Sequence, residues 1–255
     1  MIIRELKRYI FSPLFIAVVV AALGIMVYPI RDSFRFIFVI PQSYLYYIKT
    51  VHSFGTFDLF APAIAAIPCG AAFYNDFKTG YCKFIFTRTG RMKYLISKTI
   101  TCAITGGLAV FVPNLLLDVF LWIFAKPHSI GMPSFFNLSI FSNIEFVEDG
   151  IIVMITLLAI SFIFGASWAL VGLAFSTFIL NRFAACVAPF MLYFSVSLIL
   201  GQTEETLRFS PLNMLFPNYN GIPSIGFCFV YQLILMIIAA LLFAIRANWR
   251  IKNDL

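Results

Sequence analysis

The chain has 255 residues, of which 62% are hydrophobic and only 11% are charged, and its formal net charge is +7. A soluble domain carries about 25% charged residues, so this composition excludes a water-soluble globular protein and indicates an integral membrane protein. The positive charges lie beside apolar runs, which is typical of cytoplasmic loops between spans and argues against a nucleic-acid-binding protein.

The N-terminal segment predicts an amphipathic helix over residues 1–11 that lies in the membrane interface, because its apolar side chains share one helical face. A basic flank that orients the first span is a compatible interpretation. The uncharged run 9–30 that follows has 22 residues, enough to cross ~30 Å of hydrocarbon at ~1.5 Å per residue. The apolar core of a signal peptide has only ~7–15 residues, so we expect a permanent first span at about 10–30.

Later apolar runs predict five further spans, at about 54–74, 99–124, 151–175, 183–201 and 224–245. The second predicted span contains Pro62 and Pro68, which free backbone carbonyls and bend helices. The segment before the last span stays apolar but holds prolines and asparagines, and it predicts a broken interfacial or re-entrant piece. The fold class is therefore an all-α integral membrane protein with six transmembrane helices, forming a single domain over 1–255.

A stripe of small residues marks the predicted fourth span. Ser161, Gly165 and Ala169 recur at every fourth position, a pattern that permits close contact between helices. Two interpretations of this helix-packing stripe stay open: contact within the chain and a seam between two copies.

The distribution of Lys and Arg predicts the orientation of the chain in the membrane. With six spans, both termini lie on the same side, and that side carries thirteen of the eighteen Lys and Arg residues. Because positive charges accumulate in cytoplasmic loops, we expect both termini to be cytoplasmic. The loop 73–98, which alone holds six of these residues, is then cytoplasmic as well.

Motifs for catalysis and ion coupling are missing from the sequence. It has no phosphate loop, no HExxH and no GxSxG, so we predict no catalytic residue, no metal site and no ATP binding by this chain. Asp58 and Asp118 fall near the outer ends of their spans, where we interpret them as interfacial or paired carboxylates; an acidic lining at the exit of a pathway is the alternative. His52 and His128 are predicted to be solvated loop residues.

The loop between the second and third spans contains turn signals at Thr79-Gly80 and Thr89-Gly90 and an ordered set of chemical types. These are an acidic residue, a Thr-Gly pair, an apolar pair, two arginines, an aromatic residue and a lysine: Asp76, Thr79-Gly80, Phe84-Ile85, Arg88, Arg91, Tyr94 and Lys98. Together with the six-span layout and the amphipathic N-terminus, this order resembles the permease subunits of type-2 ATP-binding-cassette (ABC) exporters. The sequence departs from that pattern at Asp76, where Glu is common, and at Thr89-Gly90, where Pro or Ser is frequent.

The resemblance implies a cytoplasmic coupling helix in this loop, on which a separate ATPase subunit docks. The residues that it implies for docking are Asp76, Phe77, Lys78, Thr79, Gly80, Tyr81, Lys83, Phe84, Phe86, Arg88 and Arg91. Aromatic residues and Arg dominate the energetics of interfaces, and the cations suit acidic groups on a partner. Membrane topology alone would explain the cations, but not the aromatic residues among them. The first part of the loop, Asp76 to Phe86, is the favoured contact.

The resemblance also implies a multi-pass protein of the bacterial plasma membrane that works as a homodimer or a heterodimer with two ATPase subunits. ATP and Mg would bind to those partner subunits, and no cofactor or nucleic acid is expected on this chain. The phenylalanine-rich composition suits a hydrophobic or amphipathic cargo such as a peptide, an antibiotic or a lipid. The alternatives are a non-transporting membrane scaffold or anchor and an ion-coupled secondary transporter; the missing ionisable groups at the midplane argue against the latter.

Overall fold

A computed structural model describes residues 2–34, 44–125, 151–217 and 224–253. These residues are helical and contain no strand, which confirms the all-α prediction for this part of the chain. The helices are α1 Ile2–Ile10, α2 Pro13–Val27, α3 Arg31–Phe34, α4 Tyr44–Phe54, α5 Phe57–Ala66, α6 Ala72–Lys78, α7 Tyr81–Thr89, α8 Arg91–Phe124, α9 Ile151–Phe178, α10 Arg182–Leu200, α11 Glu204–Leu207 and α12 Ile225–Asn253.

Five of the described helical segments are long and apolar enough to cross a membrane: Pro13–Ile30, Arg91–Phe124, Met154–Phe178, Arg182–Leu200 and Ile225–Asn253. They coincide with the predicted first, third, fourth, fifth and sixth spans. Apolar length alone therefore located these elements, because an uncharged run of this length has few other folds open to it.

The predicted second span is divided in the structure. Helix α5 ends at Ala66, turns occupy residues 67–71, and α6 begins at Ala72. Pro68 has no backbone N–H with which to continue the helical ladder. The N–H of Gly70 still donates to the carbonyl of Ala66 at 2.6 Å, so one hydrogen bond of helical spacing crosses the break.

Contacts place the helix ends in two groups, which we name the Lys98 end and the His52 end of the bundle. Lys98 at the start of α8 contacts Asp76 of α6, and His52 of α4 contacts Asp58 of α5. The divided element α5–α6 therefore runs from one end to the other. Helix α1 lies at the Lys98 end, and the last turns of α12 lie there too, because Phe73 packs edge-on against Phe243 at 5.8 Å.

The centre of the bundle is the antiparallel contact between α8 and α9. A Cβ placed on Gly106 would lie 2.1 Å from the Cβ of Ala169, and one on Gly165 would lie 2.5 Å from the carbonyl oxygen of Gly106. The helices can approach this closely only because glycine occupies both positions. Ser161 is buried on the same helix and donates to the carbonyl of Leu158. The predicted small-residue stripe is thus occupied within the chain by α8.

Candidate functional site

Helix α7 is set between two sharp turns at the Lys98 end. Gly80 before it has φ +69° and Gly90 after it has φ +80°, values that glycine adopts at little cost and other residues do not. The N–H of Gly80 donates to the carbonyl of Phe77, and the Thr79 hydroxyl donates to the carbonyl of Asn75 at 2.8 Å. Both turns lie where the Thr-Gly pairs predicted them.

The two faces of α7 differ in exposure. Tyr81 is 44% exposed and Phe84 is 70% exposed, and Arg88 continues the same outward face one turn later. Cys82 and Ile85 face inward and are buried. The buried face alone would suffice to hold α7 on the bundle. The exposed aromatic face is therefore the feature of α7 that needs a separate explanation.

Behind α7 lies a buried ionic cluster formed by three separate helices. The Nζ of Lys98 lies 2.5 Å from Oε2 of Glu5 on α1 and 2.7 Å from Oδ2 of Asp76 on α6. The Tyr94 hydroxyl donates to the same Asp76 oxygen at 3.0 Å. The Lys98 side chain is only 1% exposed, so its charge depends on these carboxylates for stabilisation.

Aromatic and thiol groups complete the surroundings of Lys98. Its Nζ lies 5.6 Å from the ring centroid of Tyr9, within cation–π distance. Burial raises the pKa of Tyr9 to about 12, so the phenol stays neutral. Burial likewise raises the pKa of Cys82 to about 11, and its Sγ lies 3.5 Å from the Tyr94 hydroxyl. Cys82 is therefore an unreactive thiol that packs α7 against α8.

The burial of Glu5 was not predicted from the sequence, which indicated only that this residue lies away from the apolar face of α1. The structure buries it to 6% exposure. It precedes Tyr9 by four residues, so both side chains lie on the side of α1 that faces Lys98. That spacing is the one signal in the sequence that could have identified Glu5.

The predicted docking residues differ in their exposure to solvent. Lys78, Thr79, Tyr81, Phe84, Arg88 and Arg91 are exposed, and Phe77 and Gly80 are partly buried. The side chains of Lys83 and Phe86 lie outside the described part of the chain. Asp76 is 3% exposed and turned towards Lys98, so its carboxylate does not reach the surface on which the others lie.

At the opposite end, His52 differs from the prediction for it. Its side chain is 7% exposed, contacts Asp58 at 2.6 Å and stacks on Phe216 at a centroid distance of 4.5 Å. The prediction that His52 is a solvated residue is therefore wrong, because α4 turns this position towards α5. The prediction for His128 falls outside the described residues. Among the residues that the structure describes, no three His, Cys, Asp or Glu side chains are grouped to hold a metal ion.

No protein-family model matches the chain, and neither curated proteins nor solved structures give a significant match. What the Lys98 end can do therefore follows from its own residues. It presents an aromatic and cationic surface on a short helix, and behind that surface it holds a buried ion cluster that joins α1, α6 and α8.

Proposed function

We propose that this chain is the membrane-embedded permease subunit of an ABC exporter and that α7 is its coupling helix. The observation that carries the proposal is the pair of faces on α7. Tyr81, Phe84 and Arg88 point outward, while Cys82 and Ile85 hold the helix to the bundle. A separate ATPase subunit that docks on the outward face would bury residue types that dominate interface energetics.

The exposed charges define the chemistry of the partner. Lys78, Arg88 and Arg91 are exposed in the same stretch as the two exposed aromatic rings, so we expect the complementary groove to offer an apolar pocket with carboxylates at its rim. Opposite charges at a rim speed association and select the partner, while a buried aromatic ring supplies most of the affinity.

The buried cluster supports transmission of movement from α7 to the spans. α7 is continuous with α6 through Gly80 and with α8 through Gly90, and Lys98 ties both neighbours to α1 through Asp76 and Glu5. A partner that pushes α7 would therefore move these helices together, because separating them would leave charges buried without partners. In this proposal Asp76 positions the coupling helix and does not touch the ATPase subunit.

The proposed transport cycle is alternating access driven by the ATPase pair, which binds ATP and Mg. The divided element α5–α6 forms the second of six crossings, and both termini are cytoplasmic. The permease works as a dimer in the bacterial plasma membrane and exports a hydrophobic or amphipathic cargo. Because α8 already covers the stripe around Gly165, the second copy packs on another surface of the chain.

Co-purification from native membranes in mild detergent tests the docking. The variants Phe84→Asp and Arg88→Glu are compared with Phe183→Asp and Arg182→Glu, which change exposed residues after α9 and outside α7. We expect the α7 variants to reduce capture of a protein with a phosphate loop by about 30-fold or more, since losing a central anchor costs ~2 kcal/mol or more. The control variants should retain capture.

Equal capture by all four variants would remove α7 from this role. A scaffold or anchor predicts that no ATPase subunit co-purifies with the wild-type chain. An ion-coupled carrier predicts transport in proteoliposomes that contain this chain alone and that stops when the ion gradient is dissipated.

A further inference from the structure

Two cavities meet at His52, at the end of the bundle opposite α7. One is an open cleft of about 600 Å³, and the other is a small cavity of about 10 Å³, room for roughly one water molecule. His52 and Phe216 line both cavities, while Asn114, Asp118 and Ser161 line only the small one. The stacked His52–Phe216 pair therefore forms the wall between the cleft and the interior.

The small cavity contains a carboxyl group without a hydrogen-bond donor. Asp118 is 5% exposed, and across residues 2–34, 44–125, 151–217 and 224–253 no side chain or N–H donates to it. Ser161 donates its hydroxyl proton to the carbonyl of Leu158, and Asn114 donates one of its two N–H groups to the carbonyl of Val110. The cavity is thus rich in acceptors, and an ionised carboxylate there is strongly disfavoured.

His52 brings a second carboxylate into the same cluster. Its Nδ1 lies 2.6 Å from Oδ1 of Asp58, and both side chains are less than a tenth exposed. Burial lowers the pKa of His52, but the Asp58 carboxylate and the more distant charge of Asp118 outweigh burial, so the pKa of His52 is raised above its ordinary value. The imidazole is therefore favoured in its charged form beside Asp58.

Apart from the cluster itself, the described lining of the two cavities contains one charged side chain, Lys49. Lys49 of α4 lines the cleft but not the small cavity, and Tyr193 of α10 uses its hydroxyl on the backbone carbonyl of Asp58 at 3.0 Å. The described lining from α9 and from residues 211–216 contains no ionisable side chain. With His52 neutral, the two carboxylates leave an excess of two negative charges in a buried site.

We propose that His52, Asp58 and Asp118 form a proton-binding site that is filled from the open cleft. Protons come from the water in the cleft and bind to the imidazole of His52 and to the carboxylate of Asp118, and the Asp58 side chain holds the imidazolium at 2.6 Å. One water molecule in the small cavity donates hydrogen bonds to the Asn114 carbonyl oxygen and the Ser161 hydroxyl oxygen and accepts a hydrogen bond from the protonated carboxyl of Asp118. The neutral site joins α4, α5, α8 and the turn at 211–216, and its loss of protons leaves like charges facing each other across these elements.

A pH series of thermal unfolding on the purified full chain in nanodiscs tests the site. A group whose pKa is raised in the folded state stabilises fully below its unfolded value and loses this contribution as pH rises through its folded value. For His52 the unfolded value is roughly 6.5, so the unfolding midpoint should fall as pH rises from about 6 upward. Asp118→Asn should reduce this slope, whereas Asp32→Asn, an exposed carboxyl outside the cluster, should keep it.

Two results would overturn the proposal. The first is the same pH slope in Asp118→Asn as in the wild type. The second is stabilisation by sodium chloride that choline chloride does not reproduce, because it would make the occupant of the cavity a sodium ion.

Nitrogen NMR provides a test that does not depend on the folding of an Asp118 variant. The chain has two histidines, so in His128→Gln protein a labelled imidazole reports His52 alone. The expected result is a single titration whose midpoint lies above that of free histidine by at least about half a pH unit, a free-energy difference of ~0.7 kcal/mol. An imidazole that stays neutral from about pH 5 to 8 would contradict the proposed site.

Discussion

Lys98→Met removes the only positive charge that contacts Glu5 and Asp76 within the described part of the cluster while keeping a side chain of similar length. Both carboxylates stay buried, at 6% and 3% exposure, and each loses a contact of 2.5 to 2.7 Å. Removing one partner from a buried ion pair costs ~3–5 kcal/mol, because the remaining charge is desolvated without compensation. We expect a loss of stability in this range.

The loss can be measured as a shift of the unfolding midpoint in detergent. For a chain of this length, ~1 kcal/mol corresponds to a shift of about 2–4 °C, so Lys98→Met should lower the midpoint by about 6–20 °C. The matched control is Lys93→Met, an exposed lysine in the first turns of α8, which should stay within ~0.5 kcal/mol of the wild type.

Adding substitutions to Lys98→Met then distinguishes charge from packing. If uncompensated charge causes the loss, then Glu5→Gln and Asp76→Asn should each recover stability in the Lys98→Met background, although each destabilises the wild type. The effect of each substitution on the free energy of unfolding thus changes sign between the two backgrounds, because the three residues belong to one ionic network. A Lys98→Met midpoint equal to that of Lys93→Met, or a triple variant less stable than Lys98→Met alone, would refute the role given to the cluster.

Two further predictions concern glycines. Gly80→Ala should destabilise the chain by ~1–2 kcal/mol through backbone strain alone, because its φ is positive and nothing lies within 4 Å of an added Cβ. Gly24→Ala, with equal space in a regular helix, should stabilise the chain by ~0.5–1 kcal/mol. Equal unfolding midpoints for the two variants would contradict this difference. Gly106→Ala should cost ~1–3 kcal/mol because its Cβ would meet that of Ala169 at 2.1 Å. Gly226→Ala, which has open space in the first turn of α12, should not destabilise the chain. A Gly106→Ala variant as stable as the wild type would show that α8 and α9 are not tightly packed.

The two ends of the bundle use buried charge differently. At the Lys98 end, a lysine, two carboxylates and a tyrosine hydroxyl satisfy one another by direct contact. At the His52 end, Asp118 has no donor among the described residues and depends on a proton or a water molecule. A directly paired cluster is suited to transmit force, while an incompletely paired one responds to pH.

Asp76 illustrates why the loop 73–98 could be identified from the sequence while the contacts of its residues could not. An acidic residue next to Asn75 in a cationic loop is a reasonable candidate for a helix cap or a docking contact. Its burial depends on Lys98 and Glu5, which reach it only when α1 and α8 lie side by side. A local pattern holds no information on partners that come from distant parts of the chain.

His52 gives the same lesson for a predicted surface residue. Its position in a predicted outer loop suggested solvent exposure, yet Phe216, from a segment far along the chain, stacks on its ring. Pro62 and Pro68 indicated a bend in the predicted second span. Helix α5 continues through Pro62 and ends before Pro68. The bending power of proline is a local property, whereas its outcome depends on the packing of neighbouring helices.

The helical class, the positions of five long apolar helices and the two turns on either side of α7 could be predicted from the amino-acid sequence alone. These features follow from the length of uncharged runs and from glycine at positive φ, which are properties of short segments. Which charges are buried could not be predicted in this way, because burial depends on contacts between helices that are far apart in the chain. The turns on either side of α7 were recognisable from the local sequence. The ionic contacts of Lys98 with Asp76 and Glu5 behind it form only in the folded bundle.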